Sequence, residues 1–181
     1  MIPRLMLRLA CVAACLAGSL GAQAAGEPIL PKHVTAATLK AVEKGLAWLK
    51  KSQSSDGSFS ALPDGSAYPV SMAALAGMAM LATGSTTTRG PAADEVARTV
   101  RYVTSCARST GMISGPNFES GRPMHGHGFA LLFLATVHGM ETDPVARERL
   151  APVIRRGVRL VDAAQSPIGG WTYNPGGGDE G

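Results

Sequence analysis

Cysteine, aromatic side chains and charge are all scarce in this chain of 181 residues, and each scarcity closes off a class of protein. The cysteines are Cys11, Cys15 and Cys106, and the first two lie in an apolar N-terminal stretch. With that stretch removed only Cys106 remains, so no internal disulfide framework can hold the chain together. Cys106 itself, in the middle of a helical run, reads as a small buried apolar residue. Aromatic residues make up 5% and charged residues 17% of the chain, and no basic stripe is interleaved with aromatics, which excludes nucleic acid as a partner. The formal charge of +4 includes Arg4 and Arg8, leaving the rest of the chain nearly balanced. The N-terminal uncharged run sits at the lower edge of the ~20 residues that span a bilayer, which argues against a retained membrane anchor.

What is present begins with a secretory signal over residues 1–24. Arg4 and Arg8 supply its positive start, Leu9 to Leu20 its apolar core, and Ala22-Gln23-Ala24 a small-x-small cleavage site. The alternative is a lipoprotein signal ending Val12-Ala13-Ala14-Cys15, with Cys15 acylated and the chain held at a membrane. The short apolar core before Cys15, and the apolar residues after it, favour cleavage after Ala24. The expected localisation is therefore exported, periplasmic or secreted, with membrane association only if Cys15 is lipidated.

Residues 25–34 are a Pro-containing lead-in, with Thr35 or Thr38 placed to cap the helix that follows. Over residues 35–181 two kinds of helical pattern alternate. Leu39, Val42, Leu46 and Leu49 recur at helical spacing with Lys40, Glu43, Lys44 and Lys50 between them, an amphipathic helix with one wet face. A loop carrying Pro63, Asp64 and Gly65 leads to Met72–Leu81, which has no polar side chain and should be buried all round. The pair then recurs. Val96, Val100 and Val103 stand 54 positions after Val42, Leu46 and Leu49, followed by the wholly apolar Gly128–Ala135. A third amphipathic helix, beginning near Pro144, places Ile154, Val158 and Val161 at an offset of 112.

Each amphipathic helix ends in the same punctuation. Gln53-Ser-Ser-Asp-Gly-Ser-Phe59 is echoed by Gln165-Ser-Pro-Ile-Gly-Gly-Trp171, a Gln at the helix end, a Gly able to take positive φ, and an aromatic. Gln53, Gly57 and Phe59, with Gln165, Gly169 and Trp171, are thus a structural repeat motif. The middle copy keeps Gly111 but has Ala107 and Ile113 where the Gln and the aromatic stand. The units span about 36–84, 92–140 and 144–181. The fold class this predicts is all-α, a layered array of helix-pair repeats with alternating outer amphipathic and inner apolar helices.

These residues, with Gly126-His-Gly-Phe-Ala-Leu-Leu-Phe-Leu-Ala135 and Gly169-Gly-Trp-Thr-Tyr-Asn-Pro-Gly-Gly-Gly-Asp179, resemble the prenyltransferase and squalene oxidase repeat, a relative of the QW motif of squalene and hopene cyclases. They are similar to an exported bacterial branch of the terpenoid cyclase/protein prenyltransferase superfamily. The resemblance covers about residue 35 onward and implies an (α/α) toroid whose inner helices surround a central cavity. Two helix pairs and one outer helix are fewer than such a ring uses. The resemblance therefore implies a partial toroid, a fragment or a ring completed by another chain, with self-association through the open end of the array.

The family's chemistry is missing from the residues at hand. There is no Asp-x-Asp-Asp motif to protonate a polyene. Thr104 and Ser105 precede Cys106 where a prenyltransferase zinc site has Asp-x-Cys, and the thioester motif of the complement-type toroid is absent. No cofactor and no metal are expected. His125 and His127 are the most suggestive polar pair, but residues two apart on a helix diverge, so the expected role is a hydrogen-bonded helix entry with pocket lining. Trp171 and Tyr173 are expected to pack under the neighbouring helix, as the aromatic after a repeat turn does, with stacking on a sugar or isoprenoid as the other option. Asp56 reads as a turn residue and Asp179 and Glu180 as charges preceding a further helix. Met72, Met78 and Met80 read as core, with lining of an apolar cavity as the other option. The expected function is a non-catalytic binding or scaffold module whose concave surface takes an apolar or carbohydrate-like ligand or a protein segment. The alternative is a terpenoid cyclase-like or polysaccharide-lyase-like enzyme whose acid or base lies beyond Gly181.

Overall fold

The computed structural model describes residues 31–60, 68–116 and 118–176. The signal residues 1–24 with Cys15, the loop of Pro63, Asp64 and Gly65, and Asp179 and Glu180 lie outside them. Among the described residues the chain is all-helical: α1 Ala36–Ser52, α2 Pro69–Leu81, α3 Ala93–Ser105, α4 Phe118–Gly121, α5 Pro123–Met140 and α6 Pro144–Ala163. The chain divides into two compact units with the boundary between Leu39 and Lys40, inside α1.

In the first unit the described part is the turn Val34 N–H to Pro31 carbonyl, followed by the start of α1. Thr35 is the cap: its Oγ1 accepts from Thr38 N–H at 3.2 Å, while Thr38 Oγ1 accepts from Thr35 N–H at 3.4 Å. This reciprocal pair satisfies donors that a helix start otherwise leaves open.

The second unit is built on α2 and α5. Both lack any strong apolar stripe because they are apolar nearly all round, and they pack on each other and on the outer helices α3 and α6. Gly77 of α2 lies under Phe133 of α5, where a Cβ would meet the ring at 2.5 Å. Phe133 is fully buried, as are Met80, Val96, Val103, Ile113 and Leu134. Full burial of such a phenyl ring stabilises by about 3 kcal/mol. The outer helix α3 buries Val96, Thr99 and Val103, and α6 buries Leu150 and Gly157. Helix α6 starts where Asp143 accepts from Val145 N–H at 2.9 Å and Pro144 takes the first helical position, where its missing N–H costs nothing.

Several expectations need correction. The inner helices are not buried all round: Leu75 is 49% and Leu132 54% exposed, and Phe129 is exposed as well. An all-apolar run carries no phase, so it cannot show which side will lack a neighbour. Helix α1 buries no residue at all, and Val42 and Trp48 are 53% and 64% exposed. Its amphipathic pattern predicted a covered face, and among the described residues that face has little on it. Helix α5 begins at Pro123, well before Gly128, and the short α4 precedes it.

Candidate functional site

The three turns that follow the outer helices close with the same two backbone bonds. Ser54 N–H bonds Ser58 carbonyl at 3.0 Å and Gly57 N–H bonds Ser54 carbonyl at 2.9 Å. The second turn repeats this with Arg108 to Met112 and Gly111 to Arg108, and the third with Ser166 to Gly170 and Gly169 to Ser166. The pattern requires a left-handed residue, and Gly57, Gly111 and Gly169 take φ of 95°, 97° and 91°. In the first turn Asp56 Oδ1 accepts from Ser58 N–H and Oγ, the turn role expected of it.

The first turn docks on the next outer helix through Gln53. Its Nε2 donates to Glu95 carbonyl at 3.0 Å and to Thr99 Oγ1 at 2.9 Å, while its Oε1 accepts from Arg98 Nε at 2.9 Å. Phe59 seals the turn into the core at 3% exposure. The second turn has Ala107 in place of the Gln, and here His127 makes the link from α5. Its Nδ1 accepts from Ile113 N–H at 3.2 Å, so the ring proton sits on Nε2 and is donated to Gly157 carbonyl at 3.2 Å. Burial holds this imidazole below the ordinary histidine range, opposed in part by the Gly157 carbonyl.

Two residues apart is just over half a helical turn, which places His125 and His127 on different sides of α5, His125 exposed and His127 fully buried. With both His127 nitrogens committed to backbone, the pair has no shared direction in which to hold an ion. Among the described residues no three His, Cys, Asp or Glu side chains are grouped to hold a metal. Cys106 is half-buried, and burial pushes its thiol up.

His125 opens instead onto a pocket of about 440 Å³ lined by Met124, Val161, Trp171, Thr172 and Tyr173, with His127 beneath. All four residues singled out for ligand binding, His125, His127, Trp171 and Tyr173, meet there. The third turn delivers its aromatics by two bonds: Trp171 Nε1 donates to Val161 carbonyl at 2.8 Å, and Tyr173 carbonyl accepts from Met124 N–H at 3.2 Å. Gln165 Nε2 closes the turn on Gly169 carbonyl at 2.9 Å. Trp171 is not packed under a helix as its place in the motif suggested; it is 50% exposed along the pocket wall. His125 lies between two tyrosines, with ring centroids 6.3 Å from Tyr68 and 5.0 Å from Tyr173. The Arg122 guanidinium sits 5.0 Å over the Tyr173 ring. A second groove, of about 420 Å³, lies between α1 and α2 with Trp48, Phe59, Met72 and Leu75 in its lining, while Met80 is core and Met78 packs against it.

Sequence reasoning passed over Glu119, which is fully buried in α4. Its Oε2 accepts from Val70 N–H at 3.0 Å and Gly115 N–H at 2.8 Å, and its Oε1 from Ser71 N–H at 3.0 Å and Ser71 Oγ at 2.9 Å. The carboxylate thus satisfies and charge-matches the N-terminus of α2. Gly115 and Gly126 crowd it so closely that a Cβ on either would lie within 2.4 Å of a carboxylate oxygen. The only sequence signal was a lone acid among glycines; Val70 and Ser71, its partners on α2, lie 49 and 48 residues away.

Comparison with family models, with curated proteins and with solved structures gave no match.

Proposed function

We propose that this chain is an exported binding module, a partial (α/α) toroid of the prenyltransferase/squalene cyclase-like superfamily, that takes a carbohydrate-like ligand at the His125–Trp171–Tyr173 pocket. The observation that carries the reading is that two aromatic side chains, Trp171 and Tyr173, stand half-exposed along one pocket beside His125, with the Trp171 indole fixed by its bond to Val161 carbonyl. Aromatic faces flanked by an imidazole and a threonine hydroxyl suit a ring that has an apolar face and hydroxyl edges. The alternating helix order and the repeated turn support the superfamily reading, and the signal-like N-terminus supports export.

The chain has two tryptophans, so a Trp48→Phe variant leaves Trp171 as the single indole reporter. Titration with a panel of neutral, acidic and amino oligosaccharides is expected to give a saturable change in its fluorescence. Tyr173→Ala should weaken the response about tenfold, the equivalent of one lost aromatic contact. A panel that leaves Trp171 unmoved, while a long-chain isoprenoid alcohol shifts it, replaces the carbohydrate-like ligand with an apolar one.

A further inference from the structure

The charge around the His125–Trp171–Tyr173 pocket narrows the kind of sugar it can take. Arg122, just before α5, carries a permanent positive charge, and its guanidinium stands 5.0 Å over the Tyr173 ring. His125 meets the same ring, with centroids 5.0 Å apart and planes tilted by 49°. Tyr68 meets the His125 imidazole edge-on, at 88° between planes. One aromatic ring of the pocket thus has both a guanidinium and an imidazole against it, and all three side chains belong to exposed residues. The first turn of α5 forms part of the same wall, and a helix start carries partial positive charge.

No acid in the lining offsets this charge among the described residues. Glu119 comes close to Gly126, beside His125, but it is fully buried and both of its oxygens are taken by donors of Val70, Ser71 and Gly115. Asp162 follows Val161 on α6 and stands outside the lining. His127, beneath the pocket, is neutral and committed to backbone on both nitrogens.

We infer that the sugars bound here are uronic acids, short polyuronate chains whose pyranose ring stacks on Trp171 while a carboxylate takes the Arg122 guanidinium and the His125 N–H at the Tyr173 end. The inference rests on the carbohydrate reading of this pocket. A planar carboxylate matches the parallel N–H pair of a guanidinium, and the aromatic ring under Arg122 holds that fork in place. A neutral sugar leaves the charge unused, and an amino sugar meets it with like sign.

The test follows Trp171 fluorescence in the full chain carrying Trp48→Phe, titrated with oligomers of galacturonate, mannuronate and glucuronate, each beside its methyl ester, which keeps the ring and removes the charge. At least one uronate is expected to bind about tenfold more tightly than its ester, the equivalent of one charge-assisted bond. Arg122→Gln should bring that ratio to about one without changing ester binding, and Arg122→Lys should restore part of it. Uronates and esters that bind alike overturn this inference and leave the carbohydrate reading standing; if neither moves Trp171, both fall. Equal weakening of uronate and ester by Arg122→Gln would make Arg122 a support for Tyr173 and not a partner of the ligand. A sulfated oligosaccharide that binds as tightly as the best uronate would make the site one for anions in general. Either result overturns the assignment.

Discussion

His127 shows how a single side chain can replace a motif. Where the first turn is tied to its outer helix by Gln53, the second is tied by an imidazole from α5, which bonds Ile113 on one side and Gly157 on the other. Only the neutral ring can do this, because a proton on Nδ1 abolishes the acceptor and leaves a charge with no exposed surface. In the unfolded chain an imidazole takes up its proton near about pH 6.5, while burial lowers the folded value. The unfolded chain therefore binds more protons below that point. His127 contributes its full stability above about pH 6.5 and loses it as the pH falls. The urea midpoint should be lower at pH 5 than at pH 7 with the slope unchanged, and His127→Gln, which keeps a donor and an acceptor, should flatten the difference. The Glu141 carboxylate, held below its ordinary range first by the Thr87 hydroxyl, adds its own loss only at more acid pH, outside that comparison. An equal or higher midpoint at pH 5 contradicts the neutral-ring assignment.

At the scale of the element, the turn is the unit to test. Gly57→Ala combines left-handed strain of roughly 1–2 kcal/mol with a collision against Arg98 carbonyl of roughly the same size. Gly169→Ala meets only the strain, so it should lower unfolding stability by about half as much as Gly57→Ala, read as denaturant midpoints at low protein concentration. Equal losses would mean that docking on α3 contributes nothing. The glycine turns and the outer helices were legible in the sequence because their signals are local: a Gln, a glycine and an apolar residue every three or four positions. The exposure of Leu75 and Leu132 was not, since a run without polar residues looks the same from every side. Glu119 and His127 were opaque for a different reason. Apart from Gly115, their backbone partners lie 14 to 49 residues away, which no local pattern encodes.

For the whole molecule the distribution of burial predicts an order of opening. Helix α1 contributes no fully buried residue and is held by the packing of Leu49 against the core, by the bonds of Gln53 just after it, by the Lys50 contact to Pro91 carbonyl and by a Lys50–Glu95 pair at 3.9 Å. A single ion pair at that distance near the surface contributes about 1 kcal/mol or less. Helices α2 and α5 hold most of the core. In hydrogen exchange at low concentration, amides of α1 should exchange first and those of α2 and α5 last, through the global transition. Uniform protection across α1 and α5 would show a single cooperative block. The four candidate ligand residues meet in one pocket because the third turn folds back onto the start of α5, a closure read from Tyr173 and Met124 that sequence alone had no means to place.

The buried Glu119 carboxylate also leaves a trace that could be followed through divergent relatives. Its neighbours Gly115 and Gly126 have no room for a side chain, and Ser71 answers it from α2. A change of the acid would strand four donors at once, so these positions must be inherited together or lost together. The sparse string of glycine, acid and glycine at 115, 119 and 126, linked to a serine at 71, is therefore a signature by which descendants of this joint can be traced after the surface, the pocket and even the repeat turns have drifted beyond recognition.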